Sequence, residues 1–104
     1  MRAVAGQGSL SVVMPVYNEA ANLAAVLAQV RAGVLDVVPG SDLIVVDDHS
    51  TDTSAELLAE AAAADPRITV VTSAVNRGHG PSVRDGWYRS DAEWVLSIDS
   101  DGQV

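Results

Sequence analysis

Asp99 and Asp101 are alternate residues just past an apolar run, Trp94-Val95-Leu96-Ser97-Ile98. If extended geometry persists there, both carboxylates point the same way, about 7 Å apart along the chain. Two anions so placed repel each other unless a cation lies between them. A hard, oxygen-preferring ion suits them. Mg²⁺ or Mn²⁺ is the natural choice, since such ions keep waters and share substrate phosphates. Gln103, two residues on, can add a carbonyl oxygen. An acidic turn with Gly102 at positive φ accounts for the same residues, and on spacing alone it is the commoner use of Asp-x-Asp.

Three other polar clusters follow apolar runs. Tyr17-Asn18-Glu19 comes after the first, and Tyr17 can stack on a base or cover a sheet end. Asp47-Asp48-His49-Ser50 comes after the second. Acids at the end of a buried strand can accept hydrogen bonds from a nucleobase, while Ser50 and Asp52 suit a turn or a helix cap. Asn76-Arg77-Gly78-His79-Gly80 comes after the third. Its glycines allow backbone to approach a ligand closely, and a tight loop explains them equally well. Arg77 and Arg84 are the counter-charges for a diphosphate. The spacing of His49 and His79 does not suggest zinc.

The elements that must position these clusters are legible from hydrophobic pattern. Leu10, Val12, Val13 and Met14 form an apolar run, interrupted by Pro15, that predicts a buried strand in which Val16 can still be extended. Asn18 is expected to cap a helix with Glu19 in its first turn. Leu23, Val26, Leu27 and Val30 carry that helix at i, i+3, i+4 and i+7, and Gly33 is expected to end it. Pro39-Gly40 predicts a turn. Leu43–Val46 is a second strand. Thr53 with Glu56 fits a capping box for a second helix, which Pro66 stops. Ile68–Val71 is a third strand, 82–88 a short helix, and Trp94–Ile98 a fourth strand. Trp87 and Trp94 are expected in the core or in helix–sheet packing. Continuous apolar strands alternating with helices imply an α/β fold, a mostly parallel four-stranded sheet with helices on both faces. In such a sheet, ligands bind outside the carboxyl ends of the strands. The polar clusters fall there, so one shared site is expected.

Composition narrows the function. The 104 residues allow one small domain, with residues 1–8 an aperiodic, flexible leader. Six Lys plus Arg (all Arg) oppose 14 Asp plus Glu, a net charge of -8. That excludes nucleic acid as an expected partner and argues against a polybasic membrane anchor. The absence of Lys removes P-loop and Schiff-base chemistry, and the absence of Cys removes thiol chemistry. No apolar run approaches the roughly 18 residues of a membrane span, and no signal peptide is evident, so a cytoplasmic location is expected.

Taken together, Ser11-Val-Val-Met-Pro-Val-Tyr-Asn-Glu19, Val45-Val-Asp-Asp-His-Ser-Thr-Asp52, Asn76-x-Gly-x-Gly80 and Ile98-Asp-Ser-Asp-Gly-Gln103 resemble the family 2 glycosyltransferases of the GT-A fold. The ending is similar to the branch of dolichol- and polyprenyl-phosphate sugar transferases. Each motif is weak alone, and four in register are specific. The departure is Pro81-Ser82, where small residues such as Ala are usual; it bears on the conformation of that loop.

The resemblance implies a Rossmann-like nucleotide-binding half of a GT-A fold over residues 9–104. Pro15, Tyr17 and Glu19 would line the nucleotide pocket and Asp48 would bind the base. Arg84 would face the diphosphate. Asp99 and Asp101 would be the catalytic, metal-binding pair, with Gln103 a further ligand to Mg²⁺ or Mn²⁺. The implied reaction is inverting, metal-assisted sugar transfer from a UDP- or GDP-linked donor to an acceptor such as a polyprenyl phosphate.

The chain stops at Val104, straight after the last motif, and is expected to be the N-terminal part of a longer enzyme. It is expected to be inactive alone and prone to self-association through its fourth strand. Membrane contact would come only through a C-terminal part or the lipid acceptor, which puts the full-length protein at the cytoplasmic face of a membrane. The alternative is a nucleotide-binding module without catalysis. A signalling receiver domain is disfavoured, because it needs a Lys and places its paired acids after strand one. A dinucleotide-binding dehydrogenase is disfavoured by the absence of glycine after that strand.

Overall fold

The computed structural model describes residues 10–73, 92 and 94–98. Four strands form one sheet: β1 (Leu10–Val16), β2 (Asp42–Asp47), β3 (Ile68–Thr72) and β4 (Trp94–Ser97). Two helices connect the first three, α1 (Ala20–Val30) and α2 (Ser54–Ala64). The sheet order is β3-β2-β1-β4 and every pairing is parallel.

Alternation along each strand divides the core in two. Val12, Met14 and Val16 of β1 join Leu43 and Val45 of β2 and Ile68 of β3 on one face. There they meet Leu23, Val26, Leu27 and Val30 of α1 and Leu58 and Ala61 of α2. Val13, Ile44 and Val46 form a smaller cluster with Val71 on the other face. Both described helices therefore share a face, as right-handed crossovers stepping the same way require. The segment joining β3 to β4, with its expected helix over 82–88, lies outside the described residues.

β1 runs through Pro15 to Val16, with Pro15 opposite Val46. In a parallel strand, successive residues turn their backbone groups to alternate neighbours. Asp48 N donates to Val16 O (2.8 Å) and Ile98 N to Val13 O (3.0 Å). Even-numbered residues of β1 thus bond β2, while Val13 and Pro15 face the β4 side. The missing N–H of Pro15 takes no bond from the β1–β2 ladder.

Gly33 does not end the first helix. A π-helical turn, Arg31–Leu35, extends α1 and closes with Asp36 N donating to Arg31 O at 2.8 Å. The wide turn lets Leu35, five residues after Val30, reach the same core, and Leu35 is buried. The expected turn at Pro39-Gly40 is present, with Gly40 at φ 80°. Trp94 is 62% exposed, contrary to its expected packing role. None of Trp94–Ser97 belongs to the cluster beneath α1 and α2, which cover β1 to β3.

An ionic cluster ties the end of the π turn to the α2–β3 connection. The Arg67 guanidinium grips Asp65 through Nε to Oδ1 (2.9 Å) and Nη2 to Oδ2 (2.8 Å). Its Nη1 meets Asp36 Oδ1 at 2.9 Å. These bonds from Arg67 hold the Asp65 carboxyl down at about 2, from an ordinary value of 3.8. A carboxylate depressed in the folded state adds stability that is complete above its unfolded pKa and lost as pH falls through the folded one. Asp65→Asn should therefore lower the melting temperature at pH 7. The gap from the unsubstituted protein should close between pH values of about 4 and about 2. Thermal melts by circular dichroism across that range check this; a gap that stays constant with pH contradicts it.

Candidate nucleotide-binding edge

The strand order reverses at β1. From there the chain steps outward through β2 and β3, then returns to place β4 on the other side. In open α/β sheets such a reversal opens a crevice outside the carboxyl ends of the two strands that flank it. Here these strands are β1 and β4. β1 runs out at Val16 into Tyr17-Asn18-Glu19, and β4 runs out through Ile98, whose N–H still pairs with Val13. β2 ends beside them on Asp47-Asp48-His49.

The two acids after β2 are both buried, Asp47 at 1% and Asp48 at 4% exposure. Asp47 serves its own loop, since its Oδ1 accepts from Ser50 N at 3.1 Å. Asp48 is docked on the end of β1 by its backbone bond to Val16 O. Tyr17, 45% exposed, stands next to that bond. Pro15 is buried and faces β4, and Glu19 is half-buried, with Oε2 accepting from Asn22 Nδ2 at 3.2 Å. Pro15, Tyr17, Glu19 and Asp48 are thus brought to one edge by adjacent strands. Arg84, Asp99, Asp101, Gln103 and the loop 76–80 lie outside the described residues.

The structure corrects two capping expectations. Asn18 does not cap α1. It has φ 53° and sits one residue before the N-cap, Glu19, which also lies outside the first turn. Nor does Thr53 form a capping box, because its side chain makes no cap bond. Asp52 takes that role for both helices. Its Oδ1 accepts from Ser54 N (2.8 Å) and its Oδ2 from Ala20 N (3.3 Å). The Ser54 hydroxyl and N–H hold its carboxyl below the usual range, as suits an anion at helix N-termini.

Asn18 instead reaches across to the β2 loop. Its Oδ1 accepts from Thr51 N (2.7 Å) and Asp52 N (3.2 Å). Its Nδ2 donates to Thr51 Oγ1 at 3.1 Å and its backbone N to Ser50 Oγ at 3.0 Å. Glu19 N donates to Ser54 Oγ at 3.1 Å. His49 shares the left-handed conformation, at φ 63°. Among the described residues, Asn18 and His49 are the non-glycine positions with positive φ, and both stand on this edge. Such conformations persist where surrounding contacts over-determine them, often at functional sites. The sequence signal for this latch is faint: Asn tolerates the left-handed region, and both loops are rich in short polar side chains.

Among the described residues no group of three or more His, Asp or Glu could hold a metal ion. The donor set expected beyond β4, two carboxylates and an amide oxygen, suits a hard divalent cation.

The model for "Glycosyl transferase family 2" matches residues 11–104. The chain belongs to that family. It is 38% identical over 96 residues to an undecaprenyl-phosphate 4-deoxy-4-formamido-L-arabinose transferase of Pseudomonas aeruginosa, covering 90% of this chain and 28% of the relative. The Pectobacterium carotovorum protein of the same name is 35% identical over 97 residues, covering 91% and 29%. The chain thus spans under a third of the length of these curated relatives. A mannosyltransferase from Pyrobaculum calidifontis, solved with GDP-Man and Mn²⁺, superposes with TM-score 0.79 at 25% identity, covering 88% of this chain and 27% of that one. S. aureus TarS 1-349 with UDP-GlcNAc gives TM-score 0.79 at 26% identity, covering 90% and 27%. This family 2 chain has the α/β, Rossmann-like architecture of a GT-A fold.

Proposed function

We propose that this chain is the donor-binding part of a glycosyltransferase that moves a sugar from a nucleotide diphosphate sugar to a polyprenyl phosphate. The observation that carries the reading is the convergence of Tyr17, Glu19 and buried Asp48 at the strand-order reversal, beside the exit of β4. The named activities of the relatives support the polyprenyl phosphate acceptor. The donors held by the structural neighbours support a nucleotide sugar.

In this reading Tyr17 covers the base, Asp48 accepts from its amino or imino N–H, and Pro15 and Glu19 shape the wall. Arg84 faces the diphosphate. Asp99, Asp101 and Gln103 hold a divalent cation, Mg²⁺ or Mn²⁺. When bound, that ion supplies Lewis-acid neutralisation of the diphosphate charge as the nucleotide departs. It also accounts for an anionic donor on a chain of net charge -8. The acceptor phosphate is already anionic and attacks the anomeric carbon from the face opposite the leaving nucleotide, with inversion. The transfer takes place at the cytoplasmic face of a membrane, where the lipid presents its headgroup.

Calorimetric titration with UDP, GDP and their sugars, with and without Mn²⁺, tests the reading in the full-length protein that carries this chain. Binding of one nucleotide that tightens with Mn²⁺ is expected, together with transfer to a polyprenyl phosphate. Binding without transfer favours a nucleotide-binding module, and no binding of either nucleotide refutes both.

A further inference from the structure

We infer that Asn18 is a positioning residue that locks the β1 and β2 loops into one nucleotide-binding unit; the inference rests on the function proposed above. Tyr17 and Glu19 flank Asn18 directly, and Asp48 lies just before the Ser50–Asp52 segment that Asn18 grips. The grip is two-sided. Asn18 Oδ1 collects the N–H groups of Thr51 and Asp52, while its own N–H goes to the Ser50 hydroxyl. Asp52 and Ser54 return the contact by accepting from Ala20 N and Glu19 N. These partners are separated by 32 to 35 residues in the chain, so they fix one loop against the other rather than each within itself.

Two properties of Asn18 are used together. The amide oxygen serves as a double acceptor, and the backbone adopts φ 53°, which Asn tolerates far better than most residues. They can be separated by substitution. Asn18→Gly keeps the conformation and the backbone bond to Ser50 and removes the side-chain half of the grip. Asn18→Ala removes the side-chain half and disfavours the left-handed backbone as well. Asn18→Asp keeps the conformation and the acceptor, and the Thr51 hydroxyl can turn to donate in place of the lost amide N–H. Ser54→Ala removes the acceptor for Glu19 N from the opposite side of the latch.

The test is nucleotide affinity of the full-length protein, by calorimetry in the presence of Mn²⁺, at a temperature where each variant is fully folded by circular dichroism. Asn18→Gly should weaken binding about tenfold, the scale expected when groups that must converge on one ligand lose their alignment. Asn18→Ala should weaken it at least as much, and Ser54→Ala in the same direction. Asn18→Asp should recover most of the affinity. A residue that only stabilised the fold would lower the melting temperature and leave the affinity of the folded protein unchanged; that result for both Asn18→Gly and Ser54→Ala overturns the inference alone. If the unsubstituted protein binds no nucleotide, the proposed function falls and the inference with it.

Discussion

Replacing Asp99 or Asp101 with alanine should abolish the Mn²⁺ dependence of nucleotide binding and slow sugar transfer by about two to three orders of magnitude. The size follows from the charge balance. The donor diphosphate is anionic and the chain carries a net charge of -8. Without a cation between them, protein and leaving group repel just when negative charge builds on the nucleotide. In the proposed function, each carboxylate removed would weaken the hold on that cation, and no thiolate of this chain could replace it, since it has no Cys. Asp36→Ala is the matched control. Asp36 is an exposed acid that serves the Arg67 cluster, so its loss should leave Mn²⁺ dependence intact. Titrations with and without Mn²⁺, paired with a transfer assay, decide the matter. Metal-dependent affinity that survives in both variants would remove Asp99 and Asp101 from the cation site.

Leu43→Ala should cost about 2 to 5 kcal/mol of folding stability. Leu43 is fully buried in the central strand β2, with Val12 on one side and Ile68 on the other in register. It lies within the cluster beneath α1 and α2, where the lost isopropyl group leaves a cavity that regular strands cannot collapse to fill. Against a total of about 5 to 15 kcal/mol for a typical domain, this is a large fraction. Val37→Ala is the contrast: 65% exposed, it should change stability by less than about 0.5 kcal/mol. Urea unfolding of the two variants gives both numbers from the shift in midpoint at constant slope. Equal shifts would mean that the helix-covered face is not the stabilising core.

Much of this architecture was legible before any coordinates. The run at Leu43–Val46 reads as a buried strand because side chains on both sheet faces are covered, leaving no polar alternation; Ile68–Val71 reads as a strand from its β-branched residues, and as an edge strand it is only partly buried. The α1 face was readable because Leu23, Val26, Leu27 and Val30 recur at the helical period, and all four are buried. The role of Asp52 as a helix cap was readable from its type and position, although not that it would serve two helices. Local propensity alone misleads at Gly33 and Thr53, and tertiary context prevails over both. Pro15 stays in β1 because its nitrogen faces away from β2. Gly33 stays helical because Leu35 gains burial. Thr53 makes no cap bond because Asp52 already fills the site.

Sequence alone determined where the four strands and the helices α1 and α2 lie, which face of α1 is buried, and which family the four motifs resemble. Those properties are written in residue type and spacing over a few turns of chain, where burial and backbone preference act locally. Tertiary structure alone decided the order β3-β2-β1-β4, the shared face of α1 and α2, and the crossing of Asn18 to Thr51 and Asp52. A hydrogen bond selects its partner by proximity and angle, and proximity between residues more than 30 positions apart exists only once the strands have paired.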